Sequence, residues 1–171
     1  VYTKWYGMYE VTIRKATIED ANVVYDMLCK LSQKEHDRER FANCYERNIE
    51  DDSIIYLVAD VDGIPSGFIS CHSQQLLHHT GTAYEIQEMY IDEAYRGNGV
   101  GKLLIAAVQA SINPTVYDVF EVTSSNWRED AHAFYMNNGF TQTHLKFTQK
   151  GNRWVIAMYR NVYSEFLFVP F

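Results

Sequence analysis

The sequence predicts an α/β (α+β) domain built on one mixed sheet with helices on both faces, and three observations carry that prediction. Strand-like and helix-like segments follow one another in the order βααβββαβαββ, an interleaving that packs helices against a sheet. Apolar residues make up 47% of the 171 and aromatics 15%, enough for one packed core. A turn with three glycines in five positions, 97–101, joins a strand directly to a helix.

Each element has its own signal. "YEVTIRKA" alternates, with Val11 and Ile13 on one side, as a strand does. Thr17 followed by Asp20 resembles a capping box, and the helix after it carries Val23, Val24, Met27, Leu28 and Leu31 in one stripe. "DRERFANCYERNIED" predicts a second, polar helix with Phe41, Tyr45 and Ile49 at four-residue spacing. "SIIYLVADVDGIPSGFISCH" reads as a hairpin about Asp62-Gly63, a pair that tolerates positive φ. "QQLLHHTGT" is a loop or strand end, and "AYEIQEMYID" the next strand. "VGKLLIAAVQASI" is a helix opening from the glycines and stopped by Asn113-Pro114. "TVYDVFEVTSS" is a strand, and "REDAHAFYMNN" a helix with Gly139 behind it as its C-terminal cap. "FTQTHLKFTQ" and "RWVIAMYR" read as strands around Lys150-Gly151-Asn152. Met8 is a candidate start, which would make residues 1–7 an added extension. The apolar tail 161–171 has no clear period and is compatible with a last strand, an interface segment or a foreign extension.

Charge and cysteine usage exclude several classes. Fifteen Lys and Arg against 22 Asp and Glu leave a net charge of −7, so no basic face is expected for nucleic acid. Cys29, Cys44 and Cys71 are odd in number and form no CxxC pair, which argues against a disulfide framework or a cysteine-rich zinc site. A reducing, cytoplasmic location fits them. No apolar run approaches the roughly 20 residues that span a bilayer, and no signal pattern opens the chain. Monomer and homodimer stay open.

Glycines at the start of a helix let a backbone approach a ligand closely. The helix adds unpaired N–H groups and a partial positive charge, which suits phosphate. The kinase-type pattern GxxxxGK[ST] fails, because Arg96 stands at its first glycine and Leu103 follows Lys102. GxGxxG fails in both registers, its third glycine falling on Lys102 or Leu104, which weighs against a nucleotide-binding domain. The pattern [Q/R]xxGx[G/A] fits at Arg96, Gly99 and Gly101. A tight turn that only allows close packing is the plain alternative.

That last pattern is the diphosphate loop of the GNAT superfamily of N-acetyltransferases, which this chain resembles. "LLHH" with "EIQE", "RGNGVGKLL", "DAHAFY" with "NGF", and "THLKFT" make it most similar to the aminoalkylphosphonate N-acetyltransferase family, from about Tyr9 to Gln149. The resemblance implies a GNAT fold over residues 8–160, with a single mixed, mostly antiparallel sheet flanked by helices on both faces.

It also implies acetyl-coenzyme A as donor. Backbone N–H groups of Arg96, Gly97, Asn98, Gly99, Val100, Gly101 and Lys102 would hold the diphosphate. The strand through Met89, Tyr90 and Ile91 would pair with the pantetheine arm and turn an N–H to the thioester carbonyl. Asn126 would hydrogen-bond the cofactor. An alkylamine must lose a proton before it attacks, and Glu88 or Glu85 would take it, Glu88 being favoured as nearer the thioester. Three apart, the two face opposite sides of a regular strand, so only a bulge lets both enter one site. Tyr135 would donate the proton to the leaving thiolate. His78, His79, His144 and Lys146 are the candidate cations for a phosphonate, and His132 is expected to cap or pack against its helix. Histidines near a carboxylate strand leave a divalent metal open, with no ligand assigned. Rival acceptors are a polyamine, an aminoglycoside or an amino acid. A rival class is an acyl-coenzyme A-binding module without catalysis.

Overall fold

The computed structural model describes residues 2–6, 9–112 and 117–149. The chain divides into two compact units, Val1–Thr141 and Gln142–Phe171. The first contains every α-helix and strand among the described residues: β1 (Tyr2–Tyr6), β2 (Tyr9–Lys15), α1 (Ala21–Ser32), α2 (Arg38–Ile49), β3 (Ile54–Val61), β4 (Ile64–Leu76), β5 (Gly81–Ile91), α3 (Val100–Ser111), β6 (Tyr117–Val122) and α4 (Glu129–Asn137). The strands form one sheet in chain order, antiparallel throughout except for the parallel pair β5–β6. Among the described residues no helix is long and apolar enough to cross a membrane.

Alternation along the strands separates two cores. Leu57, Ala59, Val61, Ile69, Cys71 and Ile86 pack with α3 residues Val100, Leu103, Leu104 and Val108, and with Phe134 and Tyr135 of α4. Val58, Phe68 and Tyr90 pack on the other face with Val24 and Met27 of α1 and Tyr45 of α2. Each such side chain, fully buried, contributes about 1.5–3 kcal/mol. Asp62 (φ 50°) and Gly63 (φ 79°) make the β3–β4 turn, the left-handed pair that the hairpin requires. The stripe expected on α1 is met: Val24 and Met27 are buried, Val23, Leu28 and Leu31 pack partly buried against the same core, and Tyr25 is buried as well. Asp37 caps α2 by accepting the Arg40 N–H at 3.0 Å.

Two strand expectations change. Tyr2–Tyr6, for which no element was expected, pairs antiparallel with β2 as an edge strand. Residues 140–149, expected as a strand, form no helix or strand. A strand exists through its ladder, and the proposed partner, 153–160, lies outside the described residues, as do Asn113-Pro114, the 150–152 turn and the 161–171 tail.

One partly buried ion network fixes the entry to α1. The Arg14 guanidinium reaches Asp20 at 2.7 Å and Asp60 at 2.6 Å, and Asp20 also accepts the Thr17 N–H at 2.8 Å. Arg14 first, then the Thr17 bonds, hold the Asp20 carboxyl below its usual range against the opposing effect of burial. A lowered folded-state value gives stability that is present above the unfolded-state value and lost as pH falls through the lowered one. Arg14→Met strands two carboxylates. It is expected to cost about 2–3 kcal/mol near neutral pH and less as acid neutralises them, which denaturant titrations across the acid range would measure.

Candidate active site

β5 carries the site because its two edges behave differently along its length. On one side it pairs with β4 from Gly81 to Ile91. On the other it pairs with β6 only from Thr82 to Ile86, opposite Tyr117 to Val122. From Gln87 to Ile91 the β6-facing edge of β5 is therefore unpaired within the sheet.

A bulge lies at the same point. Ser70 is opposite Glu88, but the next residue, Cys71, is opposite Ile86, so Gln87 is the extra residue. His72 then falls opposite Glu85. Ser70 and His72 share one face of β4, which brings both carboxylates to that face, the one covered by α1 and α2. The condition that sequence alone left open, a bulge between Glu85 and Glu88, is met.

The two carboxylates are held differently. Glu85 accepts from Thr123 Oγ1 and from Gln87 Nε2, both at 2.8 Å. Glu88 accepts from the Ser70 hydroxyl through Oε2, and its N–H donates back to Ser70 Oγ at 3.0 Å. Ser70 is fully buried. One strand further, Tyr56 lies opposite Ser70, and its oxygen accepts from Asn48 Nδ2 at 2.7 Å. Burial pushes the Tyr56 phenol up to about 12, with the Glu88 charge adding to the shift. Asn48, Tyr56, Ser70 and His72 escaped the sequence reading. The available signal was polar Ser70 and His72 at the parity of Phe68 in "FISCH", where an inward face should be apolar.

The glycine turn lies just past the open edge. Gly97 and Gly99 both have φ 77°, and Gly99 caps α3. The N–H of Arg96 goes to Glu93 O at 3.3 Å and that of Asn98 to Tyr95 O at 3.4 Å. Among the described residues, the N–H groups of Gly97, Gly99, Val100, Gly101 and Lys102 meet no protein acceptor. The expected cradle is thus corrected at two positions, Arg96 and Asn98, whose amides close the preceding turn. The Arg96 side chain folds back to donate to Ile91 O at 3.0 Å. A Cβ on Gly97 would meet nothing within 4 Å, so the loop is open to a ligand. Free amides on an open, left-handed turn ahead of a 12-residue helix fit a diphosphate.

Gly101 has a packing role as well as a free amide. It is buried, and a Cβ there would lie 3.0 Å from Phe134 Cζ and 3.2 Å from Met89 Cε. Gly101→Val is expected to push α3 and α4 apart, costing about 1–3 kcal/mol, and to raise the KM for the acyl donor. Thermal melts beside initial rates would show both. A raised KM with an unchanged melting point would mean that the side chain obstructs the ligand alone and not the packing of α3.

Tyr135 stands on the α3–α4 face, its ring 5.4 Å from Phe134 and 5.6 Å from Phe140. Burial raises its phenol above the ordinary value, opposed by Arg128. Its hydroxyl meets no hydrogen-bonding partner among the described residues. Met89 packs on the same face, while Tyr90 is buried on the opposite one. Asn126 is exposed in the turn between β6 and α4. His132 bonds Ser125 O at 3.0 Å, a local packing role.

The histidine pair is not brought to the carboxylates. His78 and His79 occupy the 77–80 turn, their rings 4.2 Å apart. β4 and β5 stay paired out to Leu76 and Gly81, which carries the pair about 13 Å of strand beyond His72. His144 and Lys146 are exposed and belong to the second unit, where His144 Nδ1 lies 2.8 Å from Thr143 Oγ1. Among the described residues no three His, Cys, Asp or Glu side chains are grouped to hold a metal ion.

Known proteins share this fold. The model of the acetyltransferase (GNAT) domain matches residues 26–159. The aminoalkylphosphonate N-acetyltransferase of Salmonella typhimurium is 34% identical over 137 residues, covering 80% of this chain and 89% of that protein. An aminoglycoside N-acetyltransferase solved with CoA superposes with a TM-score of 0.75 at 17% identity, over 84% of this chain and 95% of its own. Glucosamine-6-phosphate N-acetyltransferase from Arabidopsis thaliana gives 0.69 at 18%, over 83% and 99%. At these identities the solved structures establish a common fold, the mixed and mostly antiparallel sheet described above.

Proposed function

Because the chain belongs to the GNAT acetyltransferase family, we propose that it moves the acetyl group of acetyl-coenzyme A to the primary amine of an aminoalkylphosphonate, by direct attack in a ternary complex. The observation that carries the reading is the unpaired stretch Gln87–Ile91, bounded by free amides at one end and by Glu88 on the sheet face. The amides of Gly97 and Gly99 to Lys102 hold the diphosphate, with Asn126 as a further contact. The pantetheine arm adds to the open edge as a short strand.

Glu88 removes a proton from the bound ammonium. The freed nitrogen lone pair forms a C–N bond to the thioester carbonyl, and the charge that develops on oxygen meets a backbone N–H of the Met89–Ile91 stretch. The C–S bond then breaks, the thiolate takes the phenolic proton of Tyr135, and the second proton shed by the nitrogen as the amide forms leaves to solvent and restores the phenol. Donor and acceptor approach from opposite faces of the sheet, since Tyr135 and Glu88 lie on opposite faces. The phosphonate class rests on the likeness to the Salmonella enzyme. No step is routed through a metal ion.

A thiol-release assay with 2-aminoethylphosphonate and ethanolamine, with and without chelator, tests the reading. The phosphonate amine is expected to have a kcat/KM at least about tenfold higher, because a site built for an anion leaves groups unpaired without it. Equal turnover removes the phosphonate class and leaves the small-amine acetyltransferase. Thiol release that stays at the hydrolytic background with every amine, polyamines and aminoglycosides included, would indicate a binding module.

A further inference from the structure

Beyond the two carboxylates, the most constrained polar group on the acceptor face is Ser70, and we propose that it is the residue that positions Glu88 for proton removal. The inference rests on the reading of Glu88 as the base. Ser70 has no exposed surface, and a buried hydroxyl needs partners for both its donor and its acceptor capacity. Ser70 finds both in a single residue: its oxygen accepts the Glu88 N–H at 3.0 Å, and its proton goes to Glu88 Oε2. The first bond serves the backbone, replacing a ladder bond displaced where Gln87 bulges out. The second serves the side chain, closing a ring that selects one rotamer of a residue with three rotatable bonds.

The ring leaves Glu88 Oε1 with no hydrogen-bond partner among the described residues, so the carboxylate keeps one oxygen for an ammonium proton. Glu85 is arranged the other way, with Thr123 and Gln87 occupying both of its oxygens. Ser70 thereby separates two nearby carboxylates into one that is presented and one that is engaged. Among the described residues its hydroxyl bonds to no other residue, so its effect on the reaction passes through Glu88.

A double-mutant cycle measured with acetyl-coenzyme A and 2-aminoethylphosphonate tests this. Ser70→Ala is expected to lower kcat about tenfold, the loss typical of one hydrogen bond to a charged group, with the donor KM unchanged within about twofold. In a Glu88→Gln background the same change should cost less than about twofold. Ser70→Cys keeps the volume and offers a weak donor; it should fold with the parent's thermal midpoint and still lose most of kcat. Equal losses in both backgrounds, or full activity in Ser70→Cys, would make Ser70 a packing residue and overturn the proposal. If Glu88→Gln is inactive while Ser70→Ala is not, the inference fails and the base assignment survives. An unaffected Glu88→Gln removes both.

Discussion

Glu88→Gln is expected to lower kcat by about 10²–10⁴-fold, the usual worth of a positioned general base. The amide has nearly the same shape, and its oxygen can still accept the Ser70 hydroxyl, so the β4–β5 bulge and the sheet should persist. What it cannot do is take a proton from an ammonium. The distinguishing measurement is the pH profile. An alkylammonium has a reference pKa of about 10.4, so the neutral amine grows tenfold per pH unit below that value without help from the enzyme. The kcat deficit of Glu88→Gln should therefore shrink as pH rises, whereas a residue that only bound the ammonium would raise the amine KM and leave kcat unchanged. Glu85→Gln serves as the internal comparison. Both Glu85 oxygens are engaged by Thr123 and Gln87, and its loss should be smaller by at least about tenfold. The reverse order would move the base to Glu85.

How much of this was legible in the chain depended on whether the signal was local. The Asp62-Gly63 hairpin and the start of α3 were readable because each follows from backbone freedom at one or two named positions. The helical stripes were readable because their period is a property of one segment, and even there it was α2, through Phe41 and Arg38, that covered Tyr25. The candidate site was readable only in outline. Glu85 and Glu88 could be named, but strand parity placed them on opposite faces, and one extra residue, Gln87, reverses that. Such a bulge is a property of the pairing between β4 and β5, not of either segment. Ser70 and Tyr56 were silent for the same reason: each matters through what lies across the ladder. The His78–His79 pair was misjudged because nothing within "QQLLHHTGT" shows how far the two strands stay paired before turning.

Tyr135→Phe is expected to lower kcat by a comparable factor, about 10²–10⁴, with little change in donor affinity, and it probes the opposite face of the sheet. Phenylalanine preserves the ring contacts to Phe134 and Phe140 and removes only a hydroxyl that meets no protein partner among the described residues. A half-buried hydroxyl with no protein partner is free to meet a group that arrives with the substrate. Burial also raises its proton affinity. The phenol therefore stays protonated through neutral and mildly alkaline pH, and the wild-type rate should fall only above the ordinary phenol range near pH 10. That alkaline fall should be absent from Tyr135→Phe. The nature of the leaving group offers a second check. A donor whose thiol is more acidic than that of coenzyme A needs less protonation as it departs, so the ratio of wild-type to variant rates should narrow with it. A ratio that stays constant across thiols, or a loss of kcat below about twofold, would take the proton from Tyr135 and leave the thiolate to be protonated by water entering along the unpaired edge of β5.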